Sequence, residues 1–91
     1  MQKQIQCKIS GRVQLVMFRD FAQRKARSLG ITGTVQNISD GTVKVVAHGE
    51  EAVLLKYIIY LNKGSVLSRV DEVEVGWAEP ASTFSDFEIL Y

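Results

Sequence analysis

Cysteine, proline and histidine are nearly missing from this chain, whose 91 residues include one of each. A lone Cys7 closes no internal disulfide, which excludes the bridge-stapled class of small secreted domain. With one histidine, one cysteine and no partner for either at ligand spacing, the sequence shows no metal signature and no paired-cysteine metal carrier. An excess of one charge is also missing. A formal net charge of +1 gives no field that holds a polyanion by counterion release, so nucleic acid is not the expected partner. No apolar run is long enough to span a membrane, and no basic-then-apolar leader precedes the first strand-like run. The expected home is therefore the reducing cytoplasm. Repeats, linkers and low-complexity stretches are absent as well. What remains, 46% hydrophobic and 23% charged, is the composition of one globular domain over residues 1–91.

Taken in order, Ile5, Cys7 and Ile9 alternate with polar residues, so residues 4–10 form a strand with one buried face. Cys7 then faces the core as a small hydrophobe without chemistry. From residue 20 to 29 the spacing of Ala22, Ala26 and Leu29 is helical, with Gly30 at the stop. Arg24, Lys25 and Arg27 lie on its second half, as suits a solvated face near a helix C-terminus. Residues 32–37 and 42–48 form a hairpin about the turn Ser39-Asp40-Gly41. The Asn37 amide either caps this turn or projects to a ligand, the pattern alone favouring the cap. His48, at the end of its strand, is expected to face solvent. A second helix over residues 50–63 carries the apolar stripe Val53, Leu54, Tyr57, Ile58 and Leu61. Leu55 and Ile59 form an i, i+4 pair on its opposite face, a candidate for weak self-association of a chain otherwise expected to be a monomer. Residues 69–77 form a fourth strand with Glu72 and Glu74 outward, and Phe87, Ile89 and Tyr91 alternate in a short terminal edge strand. This order predicts an α+β split sheet, antiparallel, with both helices on one face.

The stretch from Gly11 to Arg19 joins the first strand to the first helix. A loop at that junction aims successive N–H groups and the positive end of the helix dipole at one small volume, where an anion fits. Arg19 stands at the helix start, where a cation opposes the dipole by about 0.3–1 kcal/mol unless an anion joins it. Phosphate or carboxylate is the expected guest.

These residues resemble the acylphosphatase family over nearly the whole chain. One block is Gly11-Arg12-Val13-Gln14 with Val16, Phe18 and Arg19; the other is Gly33 with Asn37, Gly41, Val43 and Gly49. The resemblance implies the ferredoxin-like sandwich, and hydrolysis of the carboxyl-phosphate bond of small acyl phosphates to carboxylate and phosphate, with no metal or cofactor. It also implies that Arg19 and the loop N–H groups of Gln14, Leu15, Val16, Met17, Phe18 and Arg19 bind phosphate, while Asn37 orients the attacking water. No histidine or carboxylate pair is required of such a site.

Two positions depart from the family pattern. Leu15 stands where the family has glycine, and Thr34 where it usually has a bulky residue. If the loop needs a left-handed backbone at Leu15, the leucine either stores about 1–2 kcal/mol of strain or turns an N–H away from the phosphate. The expectation is a site weakened but not erased. The alternatives are an anion-binding or scaffold module of the same fold with impaired turnover, and an RNA-binding sheet. The latter wants stacked aromatic residues on its central strands, where this chain has Val43, Val45 and Ala47.

Overall fold

The computed structural model describes residues 2–15 and 17–91. Seven elements follow one another: β1 (Gln2–Arg12), α1 (Phe18–Ser28), β2 (Thr32–Asn37), β3 (Val43–Glu50), α2 (Glu51–Lys63), β4 (Arg69–Ala78) and β5 (Phe87–Leu90). Every predicted element is present, and β2 has the predicted bounds. The others differ at their ends by one or two residues, since hydrogen bonding and not the apolar pattern sets where an element begins and ends.

The five strands form one sheet in the order β4-β1-β3-β2-β5. Ile5, Cys7 and Ile9 of β1 lie opposite Ala47, Val45 and Val43 of β3, so the alternation of both strands falls on one face. That face meets α1 through Ala22 and Ala26 and α2 through Leu54, Tyr57 and Leu61, all fully buried. The Tyr57 hydroxyl donates to Ala22 O at 2.8 Å, tying the helices together inside the core. Burial pushes the Cys7 thiol up to about 12, which leaves it protonated and inert. The architecture is the predicted ferredoxin-like α+β sandwich, with one change. β5 lies parallel to β2, Val35 opposite Ile89, so the sheet is mixed rather than antiparallel.

One surface expectation is corrected. His48 is buried, 5% exposed, with Nε2 2.8 Å from Gln4 Oε1 and its ring against Phe84. β3 runs on past the apolar pattern to Glu50, which sets His48 opposite Gln4, and Phe84, from the segment between β4 and β5, packs on it. Burial lowers the pKa of His48 below its ordinary 6.5. Trp77, in phase with the half-buried Val73 and Val75, is nevertheless 45% exposed, on an edge strand where it lines a surface groove with Glu51 and Leu55 of α2. The three cations on the second half of α1 behave as expected of a solvated face: Arg24 pairs with Asp20, Arg27 with Asp86, and Lys25 lies over the Tyr60 ring.

Candidate active site

Strand direction gathers the site. β3 is antiparallel to both β1 and β2, so β1 and β2 point the same way, and β5 is parallel to β2. The C-terminal ends of all three therefore open on one edge of the sandwich. Onto that edge come the loop leaving β1, Asn37 at the end of β2, and Tyr91 beyond β5. A cleft of about 430 Å³ lies there, lined among others by Leu15, Met17, Arg19, Asn37 and Tyr91. Of the predicted loop, Leu15, Met17, Phe18 and Arg19 thus share one concavity with Asn37, whereas Gln14 does not line it and Val16 lies outside the described residues.

The loop begins at a β-bulge. β1 loses register with β4 between Ser10 and Gly11, and Gly11 takes φ 125° where a Cβ would collide with the Arg69 carbonyl, so only glycine turns the chain there. Leu15 and Met17 then take φ of 61° and 60°, both left-handed. Left-handed residues ahead of a right-handed helix curl successive N–H groups toward a common point, the arrangement of an anion nest. Met17 caps α1 without a side-chain hydrogen bond, so no capping side chain takes up the N–H groups of the first turn, and the residues of that turn, Phe18, Arg19 and Asp20, line the cleft. Of the two routes open to Leu15, the chain follows the first: the backbone keeps the left-handed geometry and stores the strain.

Arg19 is half-buried in the first turn of α1. Its Nη1 donates to Leu90 O at 3.3 Å, and its guanidinium carbon lies 5.0 Å from the centre of the Tyr91 ring. A guanidinium has five N–H donors, so this bond leaves most of the fork for an anion.

Asn37 does not cap the turn. Asp40 does, its Oδ1 accepting from Thr42 N at 3.0 Å and from Thr42 Oγ1 at 2.6 Å. Those bonds hold the Asp40 carboxyl below the usual carboxylate range. Asn37 Oδ1 is buried with no hydrogen-bond partner among the described residues. A buried amide oxygen without a partner carries a desolvation cost of about 1–3 kcal/mol unless water or a ligand meets it. The Gln14 side chain reaches out of the loop, and its Nε2 donates to Ile38 O and to Thr42 O, each at 2.8 Å.

Asp20, Ile89 and Tyr91 line the cleft too and were not singled out from the sequence. The run Phe87, Ile89, Tyr91 signals a strand but not its direction. Only the parallel pairing of β5 brings Ile89 and Tyr91 beside Arg19. Asp20 was legible as a first-turn acid, a common feature of helices that marks no site by itself. Among the described residues no group of three or more His, Cys, Asp or Glu is placed to hold a metal, and no helix is long and apolar enough to cross a membrane.

Comparison with known proteins agrees with this geometry. Residues 5–89 match the acylphosphatase family model. The chain is 48% identical to an acylphosphatase of Methanococcoides burtonii, over 89% of this chain and 84% of the relative. It is 40% identical to one of Salinibacter ruber, over 97% and 93%. The crystal structure of acylphosphatase from Bacillus subtilis superposes with a TM-score of 0.95 at 32% identity, covering 98% of this chain and 99% of the other.

Proposed function

The chain belongs to the acylphosphatase family and is an acylphosphatase, hydrolysing the carboxyl-phosphate bond of acyl phosphates, and from that premise we propose how its own residues carry the reaction. The phosphoryl oxygens lie against the N–H groups of Gln14, Leu15, Met17, Phe18 and Arg19 and against the guanidinium of Arg19, which offset the charge that spreads over them in the transition state. Asn37 Oδ1 accepts a hydrogen bond from water and holds its oxygen in line with phosphorus. The new oxygen–phosphorus bond forms as the bond to the acyl oxygen breaks. The carboxylate leaves with the bonding pair, and the water's proton passes to a phosphate oxygen of the substrate. Because a carboxylate is a good leaving group, positioning and charge stabilisation suffice, and the scheme requires no metal, cofactor or protein nucleophile.

The observation that carries this reading is the buried, unpartnered Asn37 Oδ1 in the same cleft as Arg19. A water that accepts its invitation gains the orientation the attack requires. Steady-state hydrolysis of benzoyl phosphate in the presence of a chelator tests it. Arg19→Ala and Asn37→Ala are each expected to lower kcat/KM by about 10²–10³-fold, the range for loss of one preorganised stabilising group. Variants that turn over like the native chain would remove both residues from the reaction.

The same proposal makes the chain a cytoplasmic monomer acting on small molecules, without a nucleic-acid partner. Its support is the near-neutral net charge and the single buried thiol. Weak self-association through Leu55 and Ile59, 48% and 57% exposed on α2, is part of it.

A further inference from the structure

Three side chains at the mouth of the cleft are apolar and almost wholly in solvent: Leu15 is 98% exposed, Met17 69% and Tyr91 95%. None contributes much burial to the core. Leu15 and Met17 moreover sit at left-handed backbone positions, which glycine or asparagine occupies with less strain. The left-handed backbone serves the anion nest but does not require an apolar side chain, and exposed apolar side chains at both of these positions, facing one cleft, point to a contact made with something that enters it.

We propose that Leu15, Met17 and Tyr91 form an apolar collar that takes up the acyl group, so that this chain favours acyl phosphates with an aromatic or long aliphatic acyl part. The inference rests on the catalytic reading above, in which the loop and Arg19 hold only the phosphoryl group. The remainder of the substrate extends toward solvent and meets the collar. Charge supports the same choice. Arg19 is the cation among the described residues lining the cleft, and the phosphoryl group engages it. A second anionic group on the acyl part would meet apolar side chains and the Asp20 carboxylate, whose partner Arg24 is already engaged at 3.0 Å.

The test compares kcat/KM for benzoyl, acetyl and succinyl phosphate in the native chain, in Leu15→Asn and in Leu15→Asn/Met17→Asn. Asparagine tolerates the left-handed backbone, so the substitutions remove apolar surface while sparing the loop's shape. The native chain is expected to favour benzoyl phosphate and to use succinyl phosphate least. Leu15→Asn is expected to reduce the benzoyl-to-acetyl ratio by about three- to tenfold, as fits partial burial of one aliphatic side chain, and the double variant by more. A ratio within twofold of native in both variants, or succinyl phosphate as the best substrate, overturns the collar and leaves the catalytic reading standing. No hydrolysis of any of the three by the native chain overturns both.

Discussion

Leu15 holds a left-handed backbone with its side chain in water, so packing offsets none of the roughly 1–2 kcal/mol that the conformation costs. Because the loop takes this shape in the chain's own structure, the strain is carried whether or not phosphate is bound. A cost common to both states lowers stability and leaves affinity alone, which changes what the leucine means for the site. Leu15→Gly is expected to stabilise the fold by about 0.5–1 kcal/mol, somewhat less than the strain itself because glycine loses more entropy on folding. Thermal unfolding should then shift upward by several degrees, at about 4–8 °C per kcal/mol for a domain of this size. Phosphate affinity, measured by calorimetry, should stay within about threefold of native, a difference under 1 kcal/mol. A tenfold gain would mean that leucine spends time outside the left-handed region and turns its N–H away. Asn37 makes the complementary point. Its position at a strand end gives a capping residue by pattern, yet Asp40 takes that task, and the freed amide is legible as a candidate site residue only through resemblance.

Gln14 connects two elements that are distant in sequence. Its amide spans the carbonyls of Ile38 and Thr42, which already accept from Gly41 N and Ile38 N, so one side chain clasps the anion loop to the turn beside Asn37. Gln14→Ala removes two hydrogen bonds and should cost about 1–2 kcal/mol in denaturant unfolding, at about 0.5–1.5 kcal/mol for each bond. Since the loop and the end of β2 lose their common fix, kcat should fall more than KM rises. Gln14→Glu should be worse than alanine, since a carboxylate would face two carbonyl oxygens. If both variants match the native chain in stability and kcat, the clasp is idle. The elements themselves were readable because each has one buried face, and burial writes a period of 2 or 3.6 into the residues. The direction of β5 was not, since alternation is the same read either way. That one missing bit hid Ile89 and Tyr91 from the site.

At the scale of the molecule, one face of α2 remains apolar outside the core. Leu55 and Ile59 are about half exposed there. Sedimentation across a concentration series should show a monomer with weak, reversible association that Leu55→Lys/Ile59→Lys abolishes; a strict monomer at high concentration would remove the idea. His48 shows why the surface is harder to read than the core: Phe84 covers it from a segment whose path no periodicity records. The order of the sheet has a consequence in time. β1, the first strand of the chain, lies between β3 and β4, and its hydrogen bonds to β4 join Ile5 to Trp77 and Cys7 to Val75. Those partners stand some seventy residues away, so closing the sheet requires large loops to be ordered before the contacts that reward them form. The strand that leads into the proposed phosphate loop is therefore completed late, and a nascent chain on the ribosome has no finished cleft edge until nearly all of it has emerged.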